Sequence, residues 1–200
     1  MYVRDAKNRE EVWLLDHIEA MGLDERAFRS RDYVVAIDEE SNAKAGFGRI
    51  RLHKISGDET DEETDRREVC ELTSIGVLEG WRDQGVGAHV VERLVQSAGD
   101  EGFESVYTLT DEPNYLTQFG FEAIDEDELP AVLERRLTEK REEVADDVIP
   151  MHLRIDEFRM PPRLRERFKE AAENTEPAPE ETPEDFGIDT ETATYKYDTG

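Results

Sequence analysis

Apolar residues recur along this chain with two spacings, one helical and one extended, and the points where they switch divide it into elements. "MYVRDA" reads as a short first strand, and "REEVWLLDHIEAMGL" as an amphipathic helix with Val12, Leu15, Ile18 and Leu23 near one face. A short helix is expected in "DERAFRS". "DYVVAIDEE" and "KAGFGRIRLHKIS" are β-rich runs joined by the turn-forming "ESNA", which predicts a hairpin. "GDETDEETDRRE" has no apolar periodicity and reads as a solvated loop whose carboxylates need no catalytic role.

"VCELTSIGVL" is the next strand, leading through "EGWRDQ" into the helix "GVGAHVVERLVQSAGDEG", whose buried face is Val90, Val91, Leu94 and Val95. Strand "SVYTLT", the helical or turn segment "PNYLTQF" and strand "GFEAI" follow. The helix "DELPAVLERRLTEKREEVA", a late strand "VIPMHLRIDEF" and the proline-started helix "PPRLRERFKEAAE" complete the periodic part. Residues 1–172 are read as one domain and residues 173–200, dominated by acids and prolines, as a disordered tail. The order of elements gives an α/β (α+β) fold, a mixed sheet covered by helices that does not alternate strictly enough for a Rossmann domain.

A length of 200 residues suits one domain with a real core. No apolar run approaches the roughly 18 residues of a membrane span, and "MYVRDAKNREEVW" lacks the apolar segment of a signal peptide. A cytoplasmic protein without membrane attachment is expected. Cys70 has no second cysteine to pair with, and His17, His53, His89 and His152 are scattered without ligand spacing, so no metal is expected. Charge changes the picture more: 51 acidic against 25 basic residues give a net charge of −26. Such a surface repels nucleic acid and anionic membranes. Because the acids are dispersed and not gathered in one tail, they fit a protein working in very high salt, where self-repulsion is screened. A halophile's cytoplasm is the expected setting; an ordinary acidic protein would leave the dispersal unexplained.

The glycines of "EGWRDQGVGAHVVERLV" raise the question of chemistry. A dinucleotide fingerprint needs a third glycine where Val90 stands, and a phosphate loop of the Gly-Lys-Ser/Thr type needs the lysine and hydroxyl that Gly85-Val86 lacks. What remains is Arg82-Asp83-Gln84-Gly85-Val86-Gly87-Ala88 between a strand and a helix. A helix N-terminus offers unpaired N–H groups and partial positive charge, and glycines let a diphosphate approach; Arg82 can add a charge-assisted contact. A glycine-rich cap with no ligand is the bland alternative.

This turn resembles the pyrophosphate loop of the Gcn5-related N-acetyltransferase (GNAT) family. "ELTSIGV" before it, and "VYTLT", "PNYLTQF" and "GFEAI" after it, match the family's order between Val3 and Ile124, most specifically between Glu71 and Phe121. The resemblance implies a mostly antiparallel mixed sheet, acetyl-CoA as cosubstrate, and direct transfer of an acetyl group to a primary amine. "LTDEPNYLTQFGFEAIDEDELP" further resembles the amino-acid N-acetyltransferases of the N-acetylglutamate synthase type, with one residue fewer between Leu109 and Gly120. Small amino acids, other metabolites, and protein lysines or N-termini are all candidate acceptors. A homodimer is compatible with the reading.

The family likeness also assigns roles. Ile75, Gly76 and Val77 match the bulged strand whose backbone pairs with pantetheine and steadies the thioester oxygen. Gly85, Val86, Gly87 and Ala88, preceded by Arg82, Asp83 and Gln84, match the diphosphate loop. Strict alternation would put Glu71, Thr73, Ile75 and Val77 on one face and Cys70, Leu72, Ser74 and Gly76 on the other. Glu71, fourteen residues before Gly85, stands at the separation of the catalytic glutamate in related histone acetyltransferases and is the candidate general base. A surface glutamate at a strand start is its alternative. The family's acid tyrosine falls at Leu116; adjacent Tyr115 is the substitute candidate for protonating the leaving thiolate, with water as the alternative. Cys70 is read as buried and His89 as solvent-facing. The rival from another class is a CoA-binding regulatory or scaffolding module without catalysis.

Overall fold

β2 (Tyr33–Ile37) is buried along its whole length, so it must lie inside a sheet covered on both faces. The computed structural model, which describes residues 1–55 and 68–171, shows that sheet. Its strands are β1 (Tyr2–Asp5), β2, β3 (Lys44–Lys54), β4 (Glu68–Val77), β5 (Ser105–Thr110), β6 (Glu122–Ala123) and β7 (Ile149–Arg154), in spatial order β1-β2-β3-β4-β5-β7-β6. Only β4 and β5 pair in parallel; every other pairing is antiparallel. Most of the expected acidic loop and the whole 173–200 tail lie outside the described residues.

Helices α1 (Glu11–Ala20), α2 (Val86–Asp100), α3 (Pro113–Thr117), α4 (Ala131–Glu143) and α5 (Pro162–Glu170) divide between the two faces. On one face α2 buries Val90, Val91, Leu94 and Val95, as expected, with Leu116 of α3 and Leu164 and Phe168 of α5 in the same core. On the other, α1 packs Leu14 and Ile18 against Tyr33, Val35, Ile37 and Phe47, while α4 packs Leu133 and Leu137 against Val69 and Leu109. The inner stripe of α1 is therefore Leu14 and Ile18, one turn apart; of the expected stripe Ile18 is buried and Leu23 packs against the same cluster, whereas Val12 is 70% exposed.

The helix expected in "DERAFRS" does not form; only Ser30–Asp32 makes a short 3-10 turn. Its backbone carbonyls are used elsewhere. Buried Arg49 donates to Arg26 O at 2.8 Å and Ala27 O at 2.6 Å, and Ser74 Oγ donates to Asp24 O at 2.8 Å. Satisfying a buried guanidinium takes precedence over a weak local helix preference. "GFEAI" likewise yields only the two-residue β6.

Candidate active site

The sheet opens at one place. β4 joins β5 through a single register pair, Glu71 with Tyr107, whereas β5 is paired with β7 along its whole length. Beyond Glu71 the two strands diverge. Leu72, Thr73, Ile75 and Val77 from β4 face Thr108, Leu109 and Thr110 from β5 across a cleft of about 380 Å³. Lys140 of α4 bridges its floor, donating to Thr73 Oγ1 at 3.1 Å and Leu109 O at 3.0 Å, one group from each strand.

A bulge in β4 shapes the same cleft. Opposite β3, Phe47 faces Gly76 and Arg49 faces Thr73, so Ser74 and Ile75 together oppose Gly48. Ser74 adopts a left-handed φ of 49°, anchored by its bond to Asp24 O. The extra residue inverts the alternation. Glu71 and Thr73 point to the α4 side, but Ile75 and Val77 pack with the α2 side, and a Cβ on Gly76 would meet Met21 and Phe47 on the α1 side. The expectation that Glu71, Thr73, Ile75 and Val77 share one face is corrected accordingly.

The glycine turn ends where α2 begins, beside the cleft. Gly85 caps α2 with φ 77°, a conformation that L side chains rarely adopt. The first intrahelical bond is His89 N to Gly85 O, at 3.2 Å, so the N–H groups of Val86, Gly87 and Ala88 have no partner within the helix. No acid stands in this first turn to offset the helix dipole. The two glycines have different neighbours. A Cβ on Gly85 would collide with the Leu164 carbonyl of α5, whereas one on Gly87 would lie 2.8 Å from the Tyr115 hydroxyl and 3.2 Å from Val77, inside the cleft.

The residues before the glycines brace the turn. Gln84 Nε2 donates to Gly80 O at 2.9 Å, Arg82 Nε reaches Val77 O at 3.4 Å, and Asp83, at φ 61°, accepts from Arg167 through its carbonyl at 3.1 Å. The N–H groups without an intrahelical partner are thus those of Val86, Gly87 and Ala88, with exposed Arg82 at the edge of the turn.

Glu71 is fully buried, 0% exposed, and does not line the cleft. His53 Nε2 lies 2.7 Å from its Oε2, Lys140 Nζ 3.5 Å from Oε1, and Arg136 Nε 3.6 Å from Oε2. Burial opposes its charge, but the His53 hydrogen bond and the charges of Lys140 and Arg136 prevail and lower its pKa to about 2. A carboxylate this acidic and this enclosed is a poor acceptor for an ammonium proton. The geometry speaks against the general-base role expected for Glu71, and equally against the alternative of a surface glutamate. Asp24 extends the network through Arg51, at 3.0 Å, and Arg136.

Tyr115 sits on the cleft wall, edge-on to Phe119 at 5.4 Å, while Leu116, at the position of the family's tyrosine, turns into the core. Packing around the phenol, with the charge of Asp83 behind it, pushes the pKa of Tyr115 up to about 12. It therefore keeps its proton throughout the neutral range. Cys70 is buried in the α2-side core. His89 is not solvent-facing: its ring stacks on Phe168 at 3.7 Å, and burial lowers its pKa.

Missed at sequence level were Lys140, Arg136 and His53. A usable sign existed in α4, where Leu133, Arg136, Leu137 and Lys140 fall on one helical stripe, two cations interleaved with the apolar face. Among the described residues no cluster of three or more His, Cys, Asp or Glu could hold a metal ion, and no helix is long and apolar enough to cross a membrane.

An open cleft between parallel strands, ending at an acid-free helix N-terminus, defines a site for an elongated ligand with an anionic end. The profile of the acetyltransferase (GNAT) family matches residues 2–121, and the chain belongs to that family. An uncharacterized N-acetyltransferase of Chlorobaculum tepidum is 29% identical over 83 residues, covering 42% of this chain and 54% of that protein. The chain thus spans about half the length of the curated relative it matches. Rv2747 from Mycobacterium tuberculosis, solved in complex with CoA, superposes with a TM-score of 0.60 at 18% identity, covering 77% of this chain and 99% of that one. N-acetylglutamate synthase from Neisseria gonorrhoeae, complexed with coenzyme A and N-acetyl-glutamate, gives 0.55 at 18%, covering 76% and 34%. At such identities the likeness is one of fold.

Proposed function

We propose that this chain is an N-acetyltransferase that moves an acetyl group from acetyl-CoA to a primary amine in the cleft between β4 and β5. The observation that carries the proposal is the divergence of those strands beside the bare N-terminus of α2. Acetyl-CoA supplies the acetyl group as a thioester. The N–H groups of Val86, Gly87 and Ala88 would hold its diphosphate, and the backbone of Ile75, Gly76 and Val77, on the diverging strand, its pantetheine arm. Tyr115 holds a proton at the cleft wall and acts as the donor. Glu71 holds Lys140 in place, and Lys140 ties the two strands to each other at the cleft floor. Asp111 and Glu112 line the mouth, where they attract an ammonium, and its proton leaves to water there.

The resemblance of "LTDEPNYLTQFGFEAIDEDELP" to the amino-acid N-acetyltransferases supports a small amino acid among the acceptors. The dispersed acidity supports a cytoplasmic protein of a halophile. Leu116 in the core at the tyrosine position and Glu71 outside the cleft fit the module without catalysis; the open cleft, the bare helix terminus and Tyr115 on the cleft wall together favour transfer. Calorimetric titration with acetyl-CoA in molar KCl tests the reading, with one saturable site per chain expected. Absence of binding to the folded protein would refute it.

A further inference from the structure

α5 carries four cations, Arg163, Arg165, Arg167 and Lys169, in nine residues of a chain whose acids outnumber its bases 51 to 25. It lies beyond the family-matched residues 2–121 and is fastened directly to the glycine turn. The Leu164 carbonyl occupies the space beside Gly85 that a side chain would need, and Phe168 stacks on His89 in the first turn of α2. Two of the cations are neutralised: Arg165 pairs with Glu92 at 2.7 Å and Lys169 with Glu166 at 3.0 Å.

Arg163 and Arg167 are different. Among the described residues neither meets a carboxylate; Arg163 Nη2 donates to the amide oxygen of Gln118 at 2.8 Å, and Arg167 Nη1 to the backbone oxygen of Asp83 at 3.1 Å. One turn apart on α5, they touch both sides of the cleft's outer end: the turn before α2, and the end of α3, where Gln118 in turn donates to Tyr115 O at 2.7 Å. Each of these bonds uses one of the five N–H donors of a guanidinium. Two cations that meet no carboxylate among the described residues, beside a site for an anion, indicate a second anionic group.

We propose that Arg163 and Arg167 form a subsite for the 3′-phosphate on the ribose of coenzyme A, so that the protein selects CoA over 3′-dephospho-CoA. The inference rests on the acetyl-CoA reading above. The α2 N-terminus serves the diphosphate, which both compounds carry; α5 serves the phosphate that only one of them has.

The test is calorimetric titration of CoA and 3′-dephospho-CoA into the wild type and into Arg163→Gln/Arg167→Gln, each checked for a cooperative melt. Loss of charge-assisted contacts predicts a wild-type preference for CoA of about tenfold or more. The double variant should lose most of that preference while binding 3′-dephospho-CoA nearly as the wild type does. Equal wild-type affinities would overturn the proposal without any variant. An equal loss for both compounds would overturn it too, moving the arginines to the diphosphate or to the fold, as would a preference the double variant retains. Binding of neither compound by the wild type would instead refute the acetyl-CoA reading.

Discussion

The Tyr115 hydroxyl stands 2.8 Å from the point where a Cβ on Gly87 would lie, so helix α2 and helix α3 meet across the cleft with no room for a methyl group between them. Gly87→Ala should keep the fold, because the obstructing atoms are side-chain ends, and should weaken acetyl-CoA binding. Gly85→Ala should do the reverse: its Cβ meets α5 backbone at φ 77°, a conformation costing on the order of 1–3 kcal/mol for a side chain. Melting and titration of the two variants separate these effects. Equal behaviour would contradict the division of labour between the glycines.

Tyr115 is a protic side chain on the cleft wall and is placed to donate to the leaving sulfur. Its pKa, pushed up to about 12, keeps it protonated at neutral pH but makes it a weaker acid than an ordinary phenol, so the role rests on its position. Tyr115→Phe should leave acetyl-CoA affinity near the wild-type value and lower kcat by about 10². The wild-type pH–rate profile should show no falling limb from this phenol until the strongly alkaline range. An unchanged kcat in the phenylalanine variant would assign protonation of the leaving sulfur to water.

Glu71 makes a prediction about stability. Its folded pKa of about 2 lies below the ordinary 4.5, so its contribution is fully present above about pH 4.5 and is lost as pH falls toward 2. Glu71→Gln should therefore unfold at lower urea near neutrality and show a flatter acid dependence than the wild type. Any fall in turnover should not recover at high pH, because the lost function is placement of Lys140 and not proton abstraction. Recovery of turnover with rising pH, in a variant of unchanged stability, would restore Glu71 as the base.

Salt addresses the charge of −26. Screening shortens the range of self-repulsion from about 10 Å at 0.1 M to about 3 Å at 1 M, so the melting temperature should climb as KCl is raised from dilute to molar. A melting temperature indifferent to KCl would remove the case for a high-salt setting.

Much of this architecture was legible in the sequence because it depends on local period. Val90, Val91, Leu94 and Val95 repeat at helical spacing and are the buried face of α2. The glycine turn was legible as the cap of α2 because Gly85 and Gly87 stand between an extended run and a helical one. The environment of Glu71 was not, since His53, Arg136 and Lys140 reach it from positions 18, 65 and 69 residues away, along β3 and α4. The bulge at Ser74 was equally hidden. It depends on an anchor at Asp24, 50 residues earlier, and no pattern within "CELTSIGV" announces that the alternation inverts there. Strict alternation therefore carried Glu71 onto the face of Ile75 and Val77, while the role of base came from the family resemblance, through its fourteen-residue separation from Gly85.

Acetyl transfer to an amine is read directly as amine-dependent release of free thiol from acetyl-CoA in molar KCl, over a panel of amino acids, polyamines and lysine peptides, with the product identified by mass. Thiol release should saturate with at least one primary amine, be matched mole for mole by an acetylated product, and be abolished in Gly87→Val. Saturable acetyl-CoA binding with no amine-dependent thiol from any member of the panel would contradict acetyl transfer and would point to a cofactor-binding module without catalysis.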